Sequence, residues 1–464
     1  MAQLVGVLGL ARSGRAAALL ALAAGDRVFA SDASDSPATL AAAEAVRQDG
    51  GERARAETGG HTVERLAECD VLVVSPGIPP DAPVLSDARL AAVPRISELE
   101  FAYHHLRSPV IGITGTNGKS TVTALTAHLL DTAGFNAPAA GNIGLALSEV
   151  ALRHTPPDWA VVECSSFQLA DIDTFAPRIG LVTNLAPDHL DRYASVEDYY
   201  ADKARLFENA TARSCWVLNG EDDEVRRLAG DAPGARYFFR TSGQPPAGEL
   251  GAFADAGTLV LRLAAGEDDL ALVRADELRI LGEHNVANAL AAALAAALAG
   301  APAEPLRQGL RSFGGLEHRL EAVGERAGVL WINDSKATNV ASTLVALRAV
   351  TRPTVLLLGG RHKGEPYTHL LPAMTHVRAV VAYGEAAPLV DADLSQHVPV
   401  MRVQGGFDEV VARAAALARP GDAVLLSPAC SSYDMFEDYE ERGRRFKDLT
   451  LVGERGAAEV ARGA

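Results

Sequence analysis

Gly115-Thr116-Asn117-Gly118-Lys119-Ser120-Thr121 stands between an apolar run, residues 109–113, and a helix-prone Ala/Leu segment. Glycines at 115 and 118 let the backbone turn tightly enough for several N–H groups to face one anion, and the helix that follows adds its positive N-terminal end. In such a loop Lys119 meets the outer phosphates of a nucleotide and the Ser120 hydroxyl ligates Mg2+. The run departs from the widespread G-x-x-x-x-G-K-[ST] pattern, because Ile113 occupies the place of its first glycine and Gly115 comes two positions later. A plain glycine-rich turn ahead of a helix is the alternative, and the strand–loop–helix setting favours the phosphate loop.

Outward from this loop, the centre of the chain reads as strands at 110–114, 159–163, 179–183 and 216–219, with helices between them and an alanine-rich helix after His284. Residues 240–276, rich in Gly, Ala, Pro and Asp, read as a peripheral sheet or excursion. Ahead of the loop, strands at 4–9, 27–31 and 70–75 and a helix at 14–24 make an α/β unit that closes near a turn at 94–97. Beyond residue 316, strands at 329–332, 354–358, 379–383 and 423–427 alternate with helices at 339–350 and 408–418. A chain of 464 residues is too long for one core. The expected architecture is α/β with three domains, each on a mostly parallel sheet: a Rossmann-like domain at 1–97, a P-loop-type domain at 98–315 and a Rossmann-like domain at 316–464.

Hydrophobic residues make up 48% and charged residues 22%, an ordinary globular balance. The net charge of −16 argues against a nucleic-acid partner, which calls for a concentrated basic face, and leaves room for local basic pockets that take small anions. The four cysteines, Cys69, Cys164, Cys215 and Cys430, are spaced too widely for a zinc cluster or a disulfide framework. A strand-like run begins almost at once, leaving no space for a leader, and residues 286–298 are too short and too small in side chain for a membrane span. A cytoplasmic protein with no membrane insertion is expected.

Other stretches carry chemistry. Gly9-x-Ala11-x-x-Gly14 follows the first strand and Asp32 ends the second, as in dinucleotide-binding folds. Ala11 in place of the middle glycine hinders close approach to a pyrophosphate, so a different nucleotide suits this crevice better than a redox dinucleotide; a tight turn with a capping Asp remains open. Glu163 closes a strand beside the phosphate loop, where its carboxylate suits Mg2+ or, alternatively, caps the next helix. Residues 184–193 follow a buried strand and hold His189 and Asp191, as chemical groups or as local hydrogen-bonding ones. Lys203 lies on a helix-spaced segment and, by itself, reads as a surface lysine.

Taken together, these segments resemble the Mur ligases, the ATP-dependent amino-acid-adding enzymes of peptidoglycan precursor synthesis, over essentially the whole chain. The runs Leu316-Glu317-His318-Arg319, Asn333-Asp334-Ser335-Lys336-Ala337-Thr338-Asn339, Gly359-Gly360-Arg361-His362-Lys363-Gly364 and residues 427–436 are similar to the branch that adds D-glutamate. The resemblance implies a UDP-sugar domain, a central ATPase domain and a C-terminal domain for the amino acid. It implies ATP and two Mg2+ as cofactors, UDP-N-acetylmuramoyl-L-alanine and D-glutamate as substrates, and a monomer. Gly115, Thr116, Asn117, Gly118, Lys119, Ser120 and Thr121 would hold phosphate, with Asn285 and Asn288 on adenine, Arg319 on phosphate and Asp334 on ribose. Ser120, Glu163, His189 and a carbamylated Lys203 would hold metal. Lys336, Thr338, Lys363, Ser432 and Tyr439 would bind D-glutamate or position the acyl intermediate; Tyr439 stands where Phe is common. Ser13, Asp32 and Asn142 are the candidates for the UDP-sugar. Lys119, Lys203, His189 and Lys336 are the expected catalytic set. An oxidoreductase would instead need nicotinamide at Gly9–Gly14, and a regulator would bind ATP without turnover.

Overall fold

The computed structural model describes residues 2–79, 81–188, 192–280 and 282–462. Its strands form three sheets, each mostly parallel. The first runs in the order β3-β2-β1-β4-β5, from β1 (Leu4–Leu8), β2 (Arg27–Asp32), β3 (Ala54–Thr58), β4 (Val71–Val74) and β5 (Arg95–Ser97). All its pairings are parallel. Parallel strands need a crossover, and the helix Arg12–Ala24 supplies the first: its small side chains Ala16, Ala17, Ala18 and Ala21 pack closely, and Gly25 ends it in a left-handed conformation at φ 95°. The expected turn at 94–97 is the edge strand β5, and β3, spelled Ala-Arg-Ala-Glu-Thr, forms the opposite edge. Both are short and partly charged, because an edge strand faces water on one side and carries no clear apolar alternation.

The central sheet has the order β14-β13-β12-β11-β10-β9-β6-β8-β7. Its strands are β6 (Val110–Thr114), β7 (Ala139–Gly141), β8 (Ala160–Glu163), β9 (Ile179–Val182), β10 (Cys215–Asn219), β11 (Ala235–Arg240), β12 (Gly251–Asp255), β13 (Thr258–Arg262) and β14 (Leu270–Arg274). The fully buried β6 lies between β9 and β8, so the chain that leaves it toward Gly115 emerges between the ends of those two strands. The segment expected as a peripheral sheet or excursion continues this same sheet at its edge through β12, with antiparallel pairings β12–β13 and β13–β14. The helix Glu283–Leu298 buries every residue from Ala289 to Ala296 completely, six alanines and two leucines. A helix enclosed all round needs side chains this small to let its neighbours approach.

The third sheet has the order β15-β16-β20-β17-β18-β19, from β15 (Glu321–Arg326), β16 (Val329–Asn333), β17 (Thr354–Gly359), β18 (Val377–Tyr383), β19 (Val400–Arg402) and β20 (Ala423–Leu426). Only β15–β16 is antiparallel. By contacts the chain divides into two compact units. One runs to Glu277 and takes in Val286–Arg311, holding the first two sheets; the other comprises Leu278–Asn285 and the chain from Ser312 on. Among the described residues no helix is long and apolar enough to cross a membrane, and the four cysteines are free thiols.

Candidate active site

The loop after β6 is held by what its two neighbouring strands deliver. From the end of β9, Asn184 clamps it reciprocally: its carbonyl accepts from Thr116 N at 2.8 Å, its Oδ1 from Asn117 N at 2.9 Å, and its Nδ2 donates to Asn117 O at 3.0 Å. Thr183 Oγ1 donates to the same carbonyl at 2.6 Å. Gly115 (φ 138°) and Gly118 (φ 82°) take conformations that other residues avoid, and a Cβ at Gly118 would come within 2.5 Å of Asn288 Oδ1. The helix Lys119–Thr132 then begins with no acidic residue in its first turn, so its positive end is uncompensated, and half-buried Ser120 and Thr121 sit at that end. Gly115→Ala would drive a Cβ to 2.0 Å from Thr183 Oγ1. It is expected to cost about 2 kcal/mol or more in stability and to abolish nucleotide binding, read by thermal melting and ADP titration.

Two lysines converge on this loop. Lys119 Nζ donates to Thr116 O and Lys203 Nζ to Gly115 O, each at 2.8 Å. Lys203 is 1% exposed, on the helix Val196–Ala204, with its ammonium 4.4 Å from the centre of the Tyr199 ring. Spacing of four residues puts Tyr199 and Lys203 on one helix face. Burial first, and the charge of Lys119 second, push the Lys203 amine down to about 7. A lysine titrating there carries a large neutral fraction at physiological pH, the form that acts as a nucleophile.

On the other side of the loop, β8 ends in Glu163, 1% exposed. Its Oε1 accepts from Asn142 Nδ2 at 3.0 Å, and among the described residues its buried Oε2 has no hydrogen-bond partner. A buried carboxylate oxygen without a partner is costly unless a cation completes it, and a hard oxygen donor suits Mg2+. The residues present therefore fit a divalent cation. His189 and Asp191 lie outside the described residues. Asn142, expected on the UDP-sugar, is placed against this carboxylate because β7 pairs with β8 and sets Gly141 opposite Glu163.

In the first sheet, the two ends of Asp32 arrange the backbone: Oδ2 accepts from Leu10 N at 2.6 Å and Oδ1 from Ser34 N at 2.8 Å. Ser13 Oγ is 3.5 Å from Ser75 Oγ, which itself donates to Gly9 O at 3.3 Å. A Cβ at Gly14 would fall 1.7 Å from Gly9 O, so the third glycine position permits close helix–strand packing. The helix that starts at Arg12 has no side-chain cap and no acid in its first turn, an N-terminus suited to a phosphate.

The C-terminal unit gathers its own group at the ends of the adjacent strands β16, β20 and β17. Their loops are zipped by Ala429 N to Ala337 O and Arg361 N to Ser431 O, both 2.9 Å. Lys363 Nζ reaches Thr338 Oγ1 at 3.5 Å, and Lys336 Nζ stands 5.4 Å from the Tyr439 ring centre. Ser432 is buried. Asp334, buried, accepts from Ser427 Oγ at 2.8 Å and Leu320 N at 3.1 Å, and burial raises its carboxyl to about 7. Arg319 is exposed between His318 (φ 64°) and Leu320 (φ 44°), two left-handed residues that project it from the turn. The Tyr439 hydroxyl is pushed up to about 12, by burial and then by Glu440.

Residues 113–296 match the Mur ligase middle domain and residues 318–430 the Mur ligase glutamate ligase domain. The UDP-N-acetylmuramoylalanine–D-glutamate ligase of Salinibacter ruber is 43% identical over 453 residues, covering 96% of both chains. The chain belongs to the Mur ligase family. Relatives of the same description from Anaeromyxobacter dehalogenans, 42% identical over 96% of both chains, and Acidobacterium capsulatum, 40% identical over 97% of this chain and 96% of that one, agree. Among solved structures, the UDP-N-acetylmuramate–alanine ligase MurC from Thermotoga maritima shares the fold with a TM-score of 0.60 at 19% identity, covering 97% of this chain and 100% of that one. In that framework Asn184, Thr183 and Tyr199 are the site residues that sequence reading passed over. The signal was present only as polar groups following a buried strand.

Proposed function

We propose that this chain is an ATP-dependent ligase that joins D-glutamate to UDP-N-acetylmuramoyl-L-alanine in peptidoglycan precursor synthesis. The observation that carries the reading is the pairing of a lysine-bearing phosphate loop with a buried, incompletely partnered Glu163, in a chain similar over 96% of its length to ligases of that description. Residues 1–97 take the UDP-sugar, 98–315 the ATP and 316–464 the amino acid, in a cytoplasmic monomer.

A free carboxylate acylates poorly, so the L-alanyl carboxylate must first be phosphorylated by ATP to an acyl phosphate. Lys119 and Arg319 neutralise charge on the transferred phosphoryl group, the loop N–H groups orient it, Asn285 and Asn288 take the adenine, and Asp334 the ribose. Ser120, Glu163, His189 and Lys203, the last as its carbamate, would hold two Mg2+. Such ions supply charge neutralisation at phosphoryl oxygens. The neutral fraction of Lys203 favours addition of CO2 to its amine, which turns a buried cation into an anion. The D-glutamate amine, once deprotonated, attacks the acyl carbon, Lys336 stabilises the oxyanion, and phosphate leaves. ADP release is expected to require both UDP-N-acetylmuramoyl-L-alanine and D-glutamate. Turnover with a tripeptide precursor or a folate, and none with this pair, would overturn the reading.

Lys363 and Ser432 anchor the carboxylates of D-glutamate, with Thr338 and Tyr439 beside them, because a dianion needs a cation and hydroxyl donors. Lys363→Ala should raise the apparent KM for D-glutamate about tenfold or more and leave those for ATP and the UDP-sugar within twofold. A change confined to the ATP constant would move Lys363 to the nucleotide.

A further inference from the structure

His362 precedes Lys363 in the loop after β17, and Cys430 precedes Ser432 by two residues in the loop after β20. Tyr367 stands between them. Its hydroxyl is 2.9 Å from His362 Nδ1 and 2.9 Å from Cys430 Sγ. The tyrosine is 1% exposed, its N–H donates to Asp393 Oδ2 at 2.8 Å, and its ring lies 5.5 Å from the imidazole at 55°. We propose that Tyr367 is a positioning residue for the amino-acid substrate, its hydroxyl tying the loop of Lys363 to the loop of Ser432. The inference rests on the reading of those two residues as D-glutamate anchors.

The argument is one of constraint. Lys363 is exposed, and among the described residues its ammonium reaches no closer partner than Thr338 Oγ1 at 3.5 Å. The backbone joins the two loops at Arg361–Ser431, and Gly364 follows at φ 89°, so between these points the chain carrying Lys363 depends on a side chain for its register. His362 is that side chain. Burial holds the Cys430 thiol up to about 11 and the phenol higher still, so both keep their protons. The phenol oxygen accepts from one neighbour and donates to the other, in either direction along the chain: S–H to the phenol oxygen with O–H to His362 Nδ1, or Nδ1–H to the phenol oxygen with O–H to Cys430 Sγ. Each hydrogen bond is satisfied, with the tyrosine as hub. A cation held by a tethered loop meets a carboxylate without first ordering that loop, and a misplacement well under 1 Å weakens so short a charge-assisted bond.

Tyr367→Phe removes only the hydroxyl. It should raise the apparent KM for D-glutamate about three- to tenfold, with kcat and the constants for ATP and the UDP-sugar within twofold. His362→Ala should do the same, and the double variant should be no worse than either, since both cut one tie. Cys430→Ser, which keeps a donor, should stay closer to wild type than Cys430→Ala. An unchanged D-glutamate constant in Tyr367→Phe, an equal shift of all three constants, or additive single effects would overturn the proposal. Should Tyr367→Phe fail to fold, half-exposed His362→Ala carries the same test. Lys363→Ala run in the same series separates the levels: if it leaves the D-glutamate constant unchanged, the anchor reading falls and the proposal with it, whatever Tyr367→Phe does.

Discussion

Lys119→Ala is expected to lower kcat by about a thousandfold or more while leaving the melting temperature within a few degrees of wild type. Charge at a transferring phosphoryl group carries effects of this size, because the electrostatic stabilisation of a loose transition state is nearly all that the protein contributes. The side chain is half-buried, and the ammonium hydrogen bond to Thr116 O is a charge-assisted contact of about 1.5–3 kcal/mol. Loop geometry survives the change, since Asn184 and Thr183 hold the loop from outside it. Single-turnover ADP formation in a variant shown folded by circular dichroism decides the matter, and near-normal turnover would remove Lys119 from the chemistry.

Lys203→Ala should reduce activity at least about a hundredfold, and a short carboxylic acid such as formate or acetate should restore part of it by occupying the vacated space as an anion. Lys203→Arg should not be rescued, because it keeps a permanent cation. The amine titrates near 7, so its neutral form grows as pH rises through that value and declines below it. Activity after prolonged CO2 depletion should therefore recover faster at pH 8 than at pH 6 when the two samples are brought to the same dissolved CO2. Full activity of Lys203→Ala, or rescue of the arginine variant, would return Lys203 to a structural role.

The phosphate loop was legible because its glycines answer a local demand: positive φ at 115 and 118 and a helix start at Lys119 are written into seven consecutive residues. Lys203 was not legible from composition, since nothing in its own segment distinguishes a lysine that snorkels from one that is buried on Gly115 O. The similarity of the whole chain to a family pointed to it. Asn184 was visible as a polar residue after a strand, but its role depends on β9 lying beside β6, and that adjacency is a property of sheet order, not of sequence distance. Asn142 shows the same limit: its hydrogen bond to the Glu163 carboxylate follows from the β7–β8 register, which its own segment does not announce. Short edge strands such as β3 and β5 escaped because three to five residues with charges carry no period.

The alanine-rich helix behind the phosphate loop has a consequence for how this protein tolerates change. From Ala289 to Ala296 nothing touches water, and one residue earlier Asn288 sets its amide against Gly118. The helix works as a shim of fixed thickness. Adding even one methylene along it displaces a rigid spacer, and a densely packed interior passes that displacement on undamped. Substitutions far from any ligand would thus register first as lost nucleotide affinity, and the assay for ATP becomes a gauge of packing in a part of the core that makes no contact with it.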